Sequence, residues 1–157
     1  MAAEGKAARA AAAALLGAVL DDGAMLSDVL ADPKGPLAGL GPSDRARAQR
    51  LATVTLRHVE QADRVLALHL RKAPMDLVMN ALRLAVVEIA VLGAPSHGAV
   101  NAAVEIVRHG NRTGHLTGLV NAVLRKVAAD SAPFAKLPPQ RLPMWLRKPL
   151  VSRLGQI

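Results

Sequence analysis

The chain has no cysteine and no tyrosine, and its one phenylalanine and one tryptophan, Phe134 and Trp145, both lie late in the 157 residues. Without cysteine there can be no disulfide, no zinc–thiolate site and no thiol nucleophile, and a reducing compartment suits the composition. With two aromatic rings the core must be aliphatic. The same shortage disfavours recognition of nucleic acid by stacking bases on aromatic platforms. Acidic residues are also in deficit: 12 Asp and Glu stand against 20 Lys and Arg, a formal charge of +8. A small protein this basic favours a polyanionic partner, nucleic acid before a membrane surface.

Uncharged runs long enough for a bilayer are missing too. Residues 10–20, behind Lys6 and Arg9, imitate a signal peptide, but Asp21 and Asp22 follow directly and no small-residue cleavage pattern is clear. Residues 75–94 are apolar, yet Asp76, Arg83 and Glu88 interrupt them, whereas a spanning helix needs about 20 nearly uncharged residues. Both read as core helices, so no membrane partner and a cytoplasmic location are expected. Catalytic signatures are scarce as well. The five histidines (His58, His69, His97, His109, His115) show no metal-ligand spacing, and no nucleophile elbow, P-loop or dinucleotide-binding glycine motif occurs. No metal, no cofactor and no intrinsic catalysis are expected.

What is present is helical periodicity. Hydrophobic residues make up 52% of the chain, and no β-branched run alternates with period two, so the fold class is all-α. A first helix is expected over residues 6–20, with Leu15, Leu16, Val19 and Leu20 as its stripe and Gly23 in its C-terminal position. A short helix at 25–31 and a Pro/Gly-rich loop at 32–42 follow. Ser43 then reads as the N-cap of a helix that could continue to Leu70. Along it Arg50, Arg57 and Arg64 recur every seven residues, almost two full turns, with Arg71 next in the row. A solvated helix edge with Glu60 and Asp63 as partners and a row of phosphate contacts explain those arginines equally well. Residues 75–92, behind Pro74, are apolar nearly all round and should form the central helix.

Residues 96–128 repeat the phrase Val-Asn-Ala, at Val100-Asn101-Ala102 and Val120-Asn121-Ala122, each inside a helical apolar stripe. Two helices joined by the polar turn 109–114 are expected. An amide beside an apolar stripe is tolerable only when hydrogen-bonded, so Asn101 and Asn121 are expected to knit the pair together, a structural role ahead of a ligand role. After Ala129, Pro133, Pro138, Pro139 and Pro143 rule out a continuing helix, and residues 130–143 read as an extended crossing segment or linker. The tail beyond, with Trp145, Leu146, Leu150, Val151 and Leu154, has an apolar side without an evident place to bury it. The expected organisation is a helical domain at 1–129 followed by a Pro-rich linker segment at 130–157.

Three segments carry a family resemblance: Asp44-Arg45-Ala46 with Leu56-Arg57, then Ser96-His97-Gly98-Ala99-Val100-Asn101, then Gly118-Leu119-Val120-Asn121-Ala122-Val123-Leu124-Arg125. In this order and at these separations they resemble the NusB superfamily over most of residues 9–128. The resemblance implies a bundle of two packed helical halves, about seven helices in all, that binds RNA. Two branches compete: the free-standing transcription antitermination factor, which works with a ribosomal protein partner, and the N-terminal domain of a ribosomal RNA 5-methylcytosine methyltransferase. Arg125-Lys126 after Leu124, the Asp44-Arg45 and Leu56-Arg57 wording, and the Pro-rich continuation to Pro143-Met144-Trp145-Leu146 favour the second. Thr55 departs from the pattern, which commonly has glycine before the Leu-Arg pair.

On that resemblance the partners are ribosomal RNA and a methyltransferase domain in cis, and the S-adenosylmethionine loop and catalytic cysteines would lie downstream. Lys6 and Arg9 resemble the basic N-terminal part with which the antitermination factor meets RNA. Arg45, Arg47, Arg50 and Arg57 join them as candidate phosphate contacts. A protein-docking module, with Trp145, Leu146 and Leu150 at an interface, is the competing reading.

Overall fold

The computed structural model describes residues 2–138, and every regular element among them is helical. Alanine-rich α1 (Ala2–Leu16) runs straight into a π-helical turn, Gly17–Asp21, after which Gly23 at φ +74° turns the chain away. The short α2 (Leu26–Ala31) and a turn-rich stretch lead to α3 (Pro42–Arg57). Gly41, not Ser43, holds the cap position of α3, because Pro42, with its preset φ and missing N–H, suits the first helical residue. Then come α4 (Val59–Ala67), α5 (Asp76–Ala90), α6 (Ser96–Arg108), a 3-10 turn (Gly114–Leu116), α7 (Thr117–Ala129) and the one-turn α8 (Ala132–Ala135).

These elements enclose two aliphatic cores. The first gathers Ala8, Ala12, Leu15 and Leu16 of α1 with Ala48, Ala52 and Leu56 of α3, and its small side chains let those two helices lie close together. The second is built from α4 to α8 around Leu66, Leu82, Val86, Val107, Val120 and Leu124. Helix α5 serves both, giving Leu84 to the first and Val78, Leu82, Val86 and Val87 to the second. Each fully buried Leu or Val contributes about 1.5–3 kcal/mol, so this helix alone supplies much of what holds the halves together. Its apolar circumference made that place legible in the sequence.

Polar ties join the halves along α1 and the turn that follows it. At the midpoint of α1, Arg9 pairs with Glu88 of α5. After α1, the π turn brings Asp21 to buried Asn80, whose Nδ2 donates to Asp21 Oδ2 at 2.9 Å while its Oδ1 accepts from Arg83 Nη1 at 2.8 Å. Arg83 in turn grips Asp63 of α4 through Nε and Nη2. Every buried polar side chain in this chain of contacts is thereby hydrogen-bonded, as burial requires.

Three further expectations are corrected. The single helix reaching Leu70 is two helices broken at His58 (φ −120°, ψ 14°). The break lets one continuous apolar pattern serve two bodies: Leu51 and Leu56 of α3 face the first core, Ala62, Val65 and Leu66 of α4 the second. The arginine row stops with it, since Arg64 pairs with Glu60 on α4 and Arg71 lies in the following loop. Thr55, the departure from the family pattern, is fully buried just before the break, and its hydroxyl donates to Leu51 O at 2.8 Å.

Second, the asparagines do not knit α6 to α7. Asn101 is exposed and its Nδ2 meets His97 Nε2 at 3.2 Å on the same helix, while half-buried Asn121 accepts from Arg125 Nε at 3.4 Å. Each sits one residue past a buried valine, which turns it to the outer edge of its stripe. Val100, Ala103 and Val107 against Val120, Val123 and Leu124 make the contact instead. Third, residues 130–138 are not extended. They carry α8, whose Phe134 buries against the second core with its ring 6.2 Å from that of His58, and Gln61 Nε2 donates to Pro138 O. The Trp145 tail lies outside the described residues.

Candidate nucleic-acid interface

Helix α1 is mostly alanine, so its other residues stand out. Gly5 is one, and it is a costly choice: glycine inside a helix is about 1 kcal/mol worse than alanine. The structure supplies the reason. A Cβ at position 5 would lie 2.6 Å from Arg9 Nη1 and 3.5 Å from Arg47 Nη1, so the bare backbone makes room for two guanidinium groups. Arg9 is anchored below, donating from Nε at 3.0 Å and Nη2 at 2.9 Å to the Glu88 carboxylate. That pair is largely shielded, with side-chain exposures of 20% for Arg9 and 7% for Glu88. Its Nη1 edge makes no bond to Glu88 and faces Gly5.

Around this point α1, α3 and the end of α5 form a groove of about 400 Å³ lined by Gly5, Arg9, Arg47, Arg50, Glu88 and Leu92. Arg47 and Arg50 stand on the exposed side of α3, three residues apart on one helix face, with no hydrogen bond or ion pair among the described residues. Since Glu88 is already spent on Arg9, Arg47 and Arg50 are left without a carboxylate partner among the described residues. Concave positive surfaces of this kind focus the field and attract anions.

On the other flank of α1 lies a second groove, of about 480 Å³, between α1 and α6. Arg9 lines both grooves. Here Lys6 Nζ is 3.6 Å from Glu105 Oε2, and the same carboxylate is bonded by Arg108 and, at 3.1 Å, by His109 Nε2. Partial desolvation pushes the Glu105 carboxyl up, but Arg108, the His109 hydrogen bond and Lys6 outweigh it and hold the group below its usual value of 4.5.

The structure therefore gathers some of the sequence-expected contacts and separates others. Arg9, Arg47 and Arg50 share one groove, and Lys6 stands at the next. Arg45 is turned away, its Nη1 donating to Leu37 O at 3.1 Å in the loop before α3. Arg57 is exposed at the last turn of α3 and does not line the groove. Two of the six carry carboxylate partners: Arg9 fully, as a buried tie between the halves, and Lys6 loosely at the surface. Asn101, expected to be structural, lines the second groove.

Gly5, Glu88, Gly98, Glu105 and Arg108 were not expected. Glu88 had a signal, since a carboxylate on a helix apolar all round must find a buried cation. Gly5 had one as well, as a glycine inside an otherwise helix-favouring stretch.

Comparison with known proteins agrees with the fold. The model of the NusB family matches residues 6–129. Ribosomal RNA small subunit methyltransferase B of Xanthomonas campestris pv. campestris is 37% identical over 158 residues, covering 98% of this chain and 35% of that relative. The chain thus spans about a third of the relative's length, and the similarity continues past the family domain into the residues after 129.

Proposed function

The chain belongs to the NusB family, and from that premise we propose that it is the RNA-holding part of a small-subunit ribosomal RNA cytosine-5 methyltransferase, working with a catalytic domain in cis. The observation that carries the reading is the groove where Arg47 and Arg50 gather beside Arg9 with one carboxylate, already engaged, between them. Backbone phosphates suit it: guanidinium groups pair with phosphate oxygens through paired N–H donors, and phosphate contacts position a strand without reading its sequence. Arg57, further along α3, extends the basic face, and Lys6 flanks it across α1.

On this reading the chain performs no methyl transfer itself. Having no cysteine, it cannot supply the catalytic thiols that the family resemblance implies for this reaction, and that step falls to another region together with S-adenosylmethionine. The methyltransferase branch is favoured over a free-standing antitermination factor because similarity to a methyltransferase continues beyond residue 129, the end of the shared family domain.

Binding of small-subunit ribosomal RNA fragments over a salt series tests the reading. Affinity should fall steeply as salt rises, with a log–log slope of about −2 or steeper for three or more phosphate contacts. Binding that is absent at low salt, or indifferent to salt, would overturn it.

A further inference from the structure

Gly98 poses the same question as Gly5, with a different answer. It lies in the first turn of α6 in ordinary helical conformation, where glycine is again a poorer helix former than alanine. Gly5 makes room for neighbouring guanidiniums, but a Cβ on Gly98 would meet nothing within 4 Å. The fold does not need its smallness. The space above it belongs to the groove between α1 and α6, where its bare backbone forms part of the wall.

The rest of that groove is mixed in character. Ala102 and Val104 give it apolar surface, and the guanidinium-bearing Arg9 and Arg108 line it together with the Lys6–Glu105 pair. Asn101, one turn from Gly98, presents an exposed amide whose Nδ2 meets His97 and whose Oδ1 has no partner among the described residues. Small apolar surface, flat cations and one amide edge match a planar heterocycle with polar edges. Guanidinium planes can carry a base in place of aromatic rings, and amide side chains read base edges. At about 480 Å³ the groove falls within the range of small-molecule sites. Arg9 connects it to the phosphate groove, so one strand crossing α1 could set phosphates on Arg47 and Arg50 and lay a base beside Asn101.

We propose that the α1–α6 groove is a nucleoside subsite, taking one unstacked base of the bound RNA against Gly98 and Asn101. This rests on the RNA-holding reading and adds to it a contact that does not depend on charge.

The test compares a single-stranded RNA oligonucleotide with one of identical length and charge whose bases are removed. The wild-type chain should bind the base-bearing strand roughly fivefold more tightly or better, a typical worth for one good base contact. Gly98→Leu fills the groove and should erase the preference while leaving the salt slope unchanged, because no phosphate contact is lost. Its fold should be at least as stable as the wild type, as the new side chain meets no neighbour. Asn101→Ala should reduce the preference in the same sense. Gly118, on α7, is an equally open helical glycine outside the groove, and Gly118→Leu should keep the preference.

Equal binding of both strands by the wild type, with a normal salt slope, would overturn the subsite and leave the phosphate reading standing. A preference that survives Gly98→Leu, or is lost equally in Gly118→Leu, would overturn it as well. Absence of salt-dependent binding to either strand would remove both readings.

Discussion

Arg9 and Glu88 meet across 79 positions of sequence, Nε to Oε1 at 3.0 Å and Nη2 to Oε2 at 2.9 Å, and so fix the middle of α1 on the last turn of α5. A buried ion pair of this kind contributes little net stability against an apolar pair, yet it is costly to break from one side, since the survivor stays buried and unpaired. It also sets where α1 sits against α5, and hence where Gly5 and Arg47 face each other.

Removing one partner should accordingly be severe. Glu88→Ala should lower unfolding free energy by about 3–5 kcal/mol, while Arg9→Met with Glu88→Leu should recover most of the loss. Urea unfolding of the single and double variants measures this. Equal destabilisation by the single and the double change would contradict a buried pair.

The carboxylate on the other flank should act through pH. Glu105 has a folded-state pKa below its unfolded value of 4.5, so its contribution to stability is present above 4.5 and is lost as pH falls through the lower, folded value. The stability gap between the wild type and Glu105→Gln should thus be steady near neutral pH and close on acidification below 4.5. Urea midpoints across that range would show it; a gap that widens in acid would mean that the folded protein favours the protonated carboxyl instead.

Backbone strain supplies a third prediction. Arg112, in the turn between α6 and α7, has φ +63°, a left-handed conformation that costs a residue with a Cβ about 1–2 kcal/mol. Arg112→Gly relieves that cost but gives the unfolded chain more freedom, so stability should rise by roughly 0.5–1 kcal/mol. Thermal unfolding is the measurement, and a lower midpoint would show that the arginine side chain contributes more than its backbone costs.

Gly5→Ala should separate stability from binding. Alanine favours the helix by about 1 kcal/mol, yet its Cβ would come 2.6 Å from Arg9 Nη1 and must push a guanidinium aside. RNA affinity should fall severalfold while helix content holds or rises. If affinity rises along with helix content, the notch has no role in seating the arginines.

Much of this fold was legible because its signals were local. The central place of α5 followed from an apolar circumference, the end of the first helix from Gly23, and the α6–α7 pair from two stripes around a polar turn. What escaped depended on the partner surface. The pattern of 43–70 reads as one helix because its period continues through His58; only the presence of two cores makes a break there favourable. Asn101 and Asn121 lie at the edge of their stripes, where one residue's rotation decides between core and solvent.

The candidate site was half legible for the same reason. Charge directed attention to the cations, but sequence spacing could not tell Arg9, committed to a carboxylate on α5, from Arg47, which has none among the described residues. The row of sevens at Arg50, Arg57 and Arg64 drew attention along the helix. The groove is made across helices, by Arg9, Arg47 and Arg50.

The most direct measurement is the salt dependence of binding to a ribosomal RNA fragment for the wild type and for Arg47→Gln with Arg50→Gln. If the groove between α1 and α3 holds phosphates, the double variant should bind more weakly at every sequence tried, with a log–log slope shallower by about 1.4–1.8, two phosphate contacts' worth. An unchanged slope in a folded double variant would contradict that assignment and move the RNA path elsewhere.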